Sequence, residues 1–279
     1  MLDKKLKVKE IRDLGARNYL LTLISPEQAR LTRPGQFVMV KCSGDVQDLP
    51  LLRRPFSVFD IRNNPRTGKP AGLDILVKNV GAGTRRLAEA RPGDEVHVLG
   101  PQGVPFRIPG SMQDRKHTAC LVAGGVGIAA LLLLARELIS LQITPLLFYG
   151  GRHLADLVLR EHFEQLGIET FYTTEDGSYG ERGLVTLPLE RLIKARSRVG
   201  VHIYACGPWS MMKACHEVSV RHGVPCEVSL EARMGCSLGA CMGCVVHAWD
   251  QRGEDQYLRV CLEGPVMPSG IVDWNTPPL

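Results

Sequence analysis

Thr118-Ala-Cys-Leu-Val-Ala-Gly-Gly-Val-Gly-Ile-Ala-Ala130 joins an apolar run to a glycine turn and then to a Leu-rich stretch that reaches Ser140. Thr118 to Ala123 reads as a strand. Gly127 to Ser140 is long enough for a helix. The turn Gly124-Gly125-Val126-Gly127 lies between them. A glycine turn at this junction offers backbone N–H groups and the positive end of a helix dipole to phosphates. Tight strand–helix packing explains the same glycines, and both readings stay open here.

Downstream the alternation continues. Pro145 to Tyr149, Glu169 to Thr173, Val201 to Ala205 and Cys226 to Leu230 read as strands. Ala155 to Leu166, Leu187 to Ala195 and Trp209 to His222 read as helices. Strands alternating with helices predict a doubly wound parallel sheet over residues 113–231. The acidic ribose-binding residue expected after the second strand is missing, because that place reads Tyr149-Gly150-Gly151-Arg152. Cys206-Gly207-Pro208 stands at another strand's carboxyl end, the edge where ligands bind in such sheets. Cys206 suits a nicotinamide pocket, and equally a buried cysteine before a helix that Pro208 opens.

Upstream the pattern is β. Leu6–Ile11, Tyr19–Ile24, Phe37–Val40, Phe56–Phe59, Leu73–Lys78 and Glu95–Leu99 are candidate strands, separated by turns such as Asn64-Pro65 and Pro92-Gly93. Residues 1–112 are therefore expected to form an antiparallel β-barrel. A short helix through Arg85 to Ala90 is expected, with Thr84 as its cap. Arg54-Pro55-Phe56-Ser57 combines a cation able to pair with a pyrophosphate, a rigid φ, an aromatic and a hydroxyl. Alone, that signal is weak, since most such arginines lie on surfaces. Gly81-Ala82-Gly83-Thr84 offers a second phosphate cradle.

Residues 232–279 carry a different chemistry. Cys236, Cys241 and Cys244 have the spacing C-x4-C-x2-C, and Cys261 follows later. That is the plant-type [2Fe-2S] ligand pattern. Gly235, Gly239 and Gly243 are expected to let the loop turn tightly around a cluster. A zinc site prefers two C-x2-C pairs or a Cys/His mixture, and His247 is the only histidine nearby. A dithiol redox pair would leave Cys236 and Cys261 unexplained. Structural disulfides fit a cytosolic chain poorly. The expectation is a small, loop-rich cluster module.

The 279 residues, 44% hydrophobic, are enough for two core-bearing domains and this appendix. A net charge of +5 without a basic block gives no reason to expect a nucleic-acid partner. Neither a signal-peptide core nor an apolar run long enough for a bilayer is evident, so a cytoplasmic, non-membrane protein is expected. There is no internal repeat and no low-complexity tract.

Taken in order, Arg-Pro-Phe-Ser, Gly-x-Gly-Thr, Gly-Gly-Val-Gly and Cys-Gly-Pro resemble the ferredoxin–NADP⁺ reductase superfamily. Glu231-Ala-Arg-Met-Gly-Cys and the later cysteines resemble, within it, the electron-transfer subunits of dihydroorotate dehydrogenase B. The resemblance covers nearly the whole chain. It implies an FAD-binding barrel, an NAD-binding α/β domain and a [2Fe-2S] module. It assigns Arg54, Pro55, Phe56, Ser57, Leu76, Val77, Lys78, Gly83 and Thr84 to FAD, and Cys236, Cys241, Cys244 and Cys261 to the cluster. NAD is the implied nucleotide, with NADP kept open by Arg152. The implied partner is an FMN-containing, dihydroorotate-oxidising catalytic subunit, in a hetero-oligomer with two of each chain. The implied activity is an NAD-linked oxidoreductase relay in pyrimidine biosynthesis. A small subunit of an NAD(P)H-dependent ferredoxin oxidoreductase or a hydrogenase-linked diaphorase is the alternative. A redox sensor or zinc-stabilised module on a reused fold is a third, opposed by the presence of both flavin and nicotinamide motifs.

Overall fold

The computed structural model describes residues 1–42, 50–113, 117–196 and 200–278. Six strands come first: β1 (Leu2–Gly15), β2 (Asn18–Ile24), β3 (Phe37–Lys41), β4 (Arg54–Asn63), β5 (Pro70–Lys78) and β6 (Glu95–Gln102). They close an antiparallel barrel in the order β1-β2-β5-β4-β3-β6. Closure leaves no unpaired strand edge, which is how small antiparallel sheets avoid pairing with other chains. The barrel interior holds Val38, Val40, Val58, Leu73, Ile75, Val77 and Val98. Alternation along β5 sends Leu76 the other way, into a core shared with the next domain.

Two short helices decorate the barrel, α1 (Pro26–Leu31) and α2 (Ala82–Ala88). Thr84 is the third residue of α2 rather than its cap. Its hydroxyl reaches back to accept the N–H groups of Val80 and Gly81 at 2.9 and 3.1 Å. The helix thus begins earlier than Thr84 suggested, and Thr84 stabilises it from inside the first turn.

The second domain contributes β7 (His117–Gly124), α3 (Leu132–Ser140), β8 (Leu146–Gly151), α4 (Arg160–Glu164), β9 (Thr170–Thr174), β10 (Glu181–Arg182), α5 (Thr186–Ala195), β11 (Gly200–Cys206), α6 (Trp209–His222) and β12 (Cys226–Ser229). These strands are parallel. The sheet order is β10-β9-β8-β7-β11-β12, with one further strand at the edge. From β7 the chain winds out through β8 to β10, then returns to β11 on the other side. A crevice forms at such a reversal, at the carboxyl ends of β7 and β11.

Two helices differ from the sequence pattern. The stretch expected to be one helix from Gly127 begins as a 3-10 turn over Gly125–Ala130, and α-geometry starts at Leu132. Ile128 to Ala135 are buried throughout, so no polar face marked the break. The segment expected as a helix from Ala155 to Leu166 is a 3-10 turn, Leu154–Asp156, then α4. Leu159 lies between them at φ 59°, a left-handed conformation that interrupts a helix.

The C-terminal segment has more regular structure than a loop-rich module implied. β13 (Val245–Trp249) and β14 (Asp255–Arg259) form a hairpin. β15 (Val266–Pro268) pairs antiparallel with β12 and supplies the last strand of the main sheet. Among the described residues no helix is long and apolar enough to cross a membrane.

Candidate functional site

Two cavities open where the barrel meets the sheet. The first, about 850 Å³, is walled by Arg54, Pro55, Phe56 and Ser57 of β4, Leu76 and Lys78 of β5, Thr84 of α2, and Ser229 to Met234 from the end of β12 onward. That volume lies in the range of cofactor sites. The Arg54 guanidinium is held by the Leu52 and Arg53 carbonyls at 2.8 and 3.3 Å. No carboxylate pairs with it among the described hydrogen bonds, which suits a site for an anionic group. Val77 and Gly83 stand outside this wall. Val77 faces the barrel core, and a Cβ on Gly83 would lie 3.1 Å from Cys42 Cβ, so its smallness serves packing. Thr84 takes up the N–H groups of Val80 and Gly81, which precede the helix, and not those of Ala82 to Thr84 in its first turn.

The second cavity, about 660 Å³, lies at the crevice. Gly124, Gly125, Gly207 and Pro208 line it, with Gly150 to Arg152, Asp156 and Glu175 on the far side. A Cβ on Gly124 would sit 2.7 Å from the Pro208 ring, and one on Gly207 2.9 Å from Gly124 N. The two strand ends therefore touch through glycine. Gly127 is placed differently. A Cβ there would lie 2.2 Å from the Cys206 carbonyl oxygen, so Gly127 packs the 3-10 turn against β11 and is not part of the wall. Cys206 is buried and borders the first cavity rather than the second, so the structure favours the buried-cysteine reading over a place in the nucleotide crevice. Burial pushes its thiol up.

Lys78, Val126 and Glu231 belong to both walls and mark where the cavities join. Glu231 is open to solvent through the cavity mouth, yet the surrounding protein raises its carboxyl by desolvation. Its place at this junction was not read from the sequence. Asp156 was also missed. Arg152 donates to it through Nε at 2.9 Å and Nη2 at 3.2 Å, and Lys78 Nζ lies 3.6 Å away. Burial works to raise the Asp156 carboxyl, but these cations outweigh it and hold the group below its ordinary range. Nothing in the sequence flags that partnership, because Lys78 comes from the barrel.

The cysteine loop continues from the first cavity. Cys244 and Cys261 are buried, Cys236 is half-buried and Cys241 is exposed. The Leu238 and Cys241 N–H groups donate to Cys236 Sγ at 3.3 and 3.4 Å, and Gly243 N–H to Cys241 Sγ at 3.5 Å. Those backbone donors pull the Cys236 thiol down to about 6. Burial pushes Cys261 up to about 12. The thiols approach in pairs, Cys236 with Cys241 and Cys244 with Cys261. Among the described residues no three His, Cys, Asp or Glu side chains surround a single ion position. A binuclear cluster takes two thiolates per iron, so the paired approach and the amide donors fit it. The loop turns at Ser237, Gly239 and Met242, with φ of 57°, 78° and 55°, so only Gly239 of the expected glycines supplies a left-handed turn. Arg259, fixed by Glu263, donates to the Gly239 carbonyl at 3.1 Å and brings positive charge to the loop.

Comparison with known proteins agrees with this geometry. Residues 231–273 match the iron–sulfur cluster binding domain of dihydroorotate dehydrogenase B, and residues 121–217 match the oxidoreductase NAD-binding domain. A solved NADH-dependent reduced ferredoxin-NADP oxidoreductase superposes with a TM-score of 0.81 at 29% identity, covering 97% of this chain and 90% of that one. The ferredoxin reductase of carbazole 1,9a-dioxygenase, at 21% identity and a TM-score of 0.65, covers 80% of this chain and 67% of that one, and shares the fold. The dihydroorotate dehydrogenase B (NAD(+)) electron transfer subunit of Desulforamulus reducens is 37% identical over 96% of this chain and 97% of its own. That of Geobacillus kaustophilus is 37% identical over 96% and 98%. At such identity along the full length, with the cluster loop and both cavities in place, the chain belongs to the family of dihydroorotate dehydrogenase B electron transfer subunits.

Proposed function

We propose that this chain relays electrons between NAD(H) and a catalytic subunit that oxidises dihydroorotate, through FAD in the first cavity and a [2Fe-2S] cluster on Cys236, Cys241, Cys244 and Cys261. One observation carries the reading. The segment from Ser229 to Met234 walls the first cavity, Glu231 within it also walls the second, and Cys236 follows two residues later. All three sites are thus strung on eight consecutive residues, 229–236. When bound, a flavin takes two electrons as hydride and releases them singly to a one-electron cluster.

The chain's own residues bind and orient. Arg54 would pair with the flavin's pyrophosphate, and Pro55, Phe56, Ser57 and Leu76 would form the wall that holds the flavin. Gly124, Gly125, Gly207 and Pro208 let the nucleotide approach the strand ends. Lys78, tied to Asp156, spans the join and holds the two cavities in register. On this reading residues 1–112, 113–231 and 232–279 serve the flavin, the nucleotide and the cluster in turn. The family resemblance adds FMN in the partner, two copies of each chain, net flow toward NAD⁺ and a cytoplasmic setting.

The test is anaerobic purification of the chain alone and with its partner. Alone it should hold roughly two irons, two sulfides and one FAD, and reduce artificial acceptors with NADH. It should oxidise dihydroorotate only once the partner is added. Stoichiometric zinc without sulfide would defeat the cluster, and dihydroorotate oxidation by the isolated chain would defeat the relay. The likeness to the ferredoxin-NADP oxidoreductase supports a second reading, in which the partner handles ferredoxin. Capture of the native partner separates the two.

A further inference from the structure

The cluster loop contains one polar group that its own folding leaves unused. Ser237 follows the first ligand and is only 4% exposed, while Leu238 and Ala240 beside it are exposed. Its hydroxyl has no hydrogen-bond partner among the described residues. Its backbone sits at φ 57°, where a side chain is strained and glycine is at ease. A glycine here would remove both the strain and the buried, unpaired hydroxyl. Burying a hydroxyl unpaired is unfavourable, so such a group calls for a partner.

The loop's other donors indicate what that partner is. Three backbone N–H groups, those of Leu238, Cys241 and Gly243, already point at thiol sulfur. Ser237 is buried between two ligand cysteines of this loop, and Cys244 and Cys261 are buried as well. The acceptors of these three donors are all sulfur.

We propose that the Ser237 hydroxyl donates a hydrogen bond to a sulfur of the [2Fe-2S] cluster and holds its reduction potential above that of the same loop without the hydroxyl. The inference rests on the iron–sulfur reading of the site. Reduction adds one negative charge to the cluster, and a donor aimed at sulfur stabilises the more negative state more. The hydroxyl therefore shifts the equilibrium toward the reduced cluster and makes it a better electron acceptor. Nothing is consumed in this role, since the proton stays on oxygen.

The experiment uses the full chain, purified anaerobically with its cluster, as wild type, Ser237→Gly and Ser237→Ala. Ser237→Gly is the cleaner variant, because glycine accepts this φ without strain. Iron and sulfide content is measured first. The midpoint is then measured by redox titration, following the EPR signal of the reduced cluster. Both variants should keep the cluster and show a reduction equilibrium shifted about tenfold toward the oxidised form, a midpoint lower by about 59 mV for a one-electron couple. Pulsed EPR in H₂O and D₂O should show one fewer exchangeable proton coupled to the cluster in each variant. An unmoved midpoint with the cluster intact overturns the assignment, and so does loss of the cluster from both variants, which would make Ser237 structural. A wild-type chain without the signal of a reduced two-iron cluster defeats the cluster reading itself, a different outcome from a normal signal with an unmoved midpoint.

Discussion

Asp156 decides what Arg152 is free to do. In the sequence Arg152 stands where a 2′-phosphate would be read, and the acidic residue that excludes one is missing. In the fold Asp156 takes both the Nε and Nη2 donors of Arg152, so the fork that would grip a phosphate is already engaged. NADH should therefore reduce the bound flavin faster and at lower concentration than NADPH. Asp156→Asn should release Arg152 and narrow the NADH-to-NADPH preference by about tenfold, the effect of about 1.4 kcal/mol. Stopped-flow reduction with each nucleotide reads this, and an unchanged ratio would remove Asp156 from nucleotide choice. Arg54 makes a second test at this scale. Its guanidinium touches only backbone carbonyls among the described partners, and a charge-assisted pair is worth about 1.5–3 kcal/mol. Arg54→Ala should thus weaken FAD binding about ten- to a hundredfold with the fold intact. Equal flavin affinity in the two proteins would place the pyrophosphate elsewhere. Arg54 and the four cysteines can be proposed from sequence because each sits in a short motif, and the fold puts Arg54 on the wall of the first cavity. Asp156 and Glu231 lie outside those motifs, and their places on the cavity walls depend on how the barrel meets the sheet.

Among the elements, those with a turn signal at each end were read well. α6 matches its expected span, with Pro208 before it and Gly223 at φ 64° after it. Elements without a periodic face were read poorly. The stretch from Ile128 to Ala135 is buried on every side, so hydrophobic pattern could not separate its 3-10 turn from α3. β15 has three residues and exists only because β12 offers it an edge. The cluster loop is the element with most functional consequence still to test. Leu238 and Met242 are 54% and 49% exposed and flank the exposed Cys241, whereas Met234 is 8% exposed and walls the first cavity. Exposed apolar side chains beside the cluster are suited to a partner. Leu238→Asp and Met242→Lys should each weaken binding of the catalytic subunit at least about tenfold, a central hot-spot effect. NADH-to-FAD reduction should stay at the wild-type rate. Titration calorimetry with the partner measures the first and stopped flow the second. Wild-type affinity in both variants would move the docking face away from this loop.

At the scale of the whole molecule, the relay requires the barrel and the sheet to keep one relative position, because both cavities share a wall. Leu20, Phe59 and Leu76 of the barrel share a core with Ile128 and Ala129 of the second domain. Beside that core Arg136 of α3 reaches across to Asp60 of β4 at 2.6 Å. Asp60 is buried, and burial pushes its carboxyl up to about 6, with Arg136 opposing the rise. Asp74, opposite it on β5, is buried as well and adds like charge. The sign of the pH effect follows from the folded value lying above the ordinary 3.8. Stability from this group is fully present below the unfolded value and is lost as pH rises through the folded one. Going from pH 7 to pH 5 should therefore stabilise the wild type relative to Asp60→Asn by about 1 kcal/mol. Urea unfolding of the two holoproteins at both pH values, followed by flavin fluorescence and far-UV dichroism, reads the difference. Arg136→Met supplies the control of direction. Without the guanidinium the ionised carboxylate is still less favourable, so the Asp60 titration should move above 6 and the pH-dependent window with it. Parallel pH profiles for wild type and Asp60→Asn would mean that Asp60 does not titrate in this range and stays in one protonation state beside Arg136.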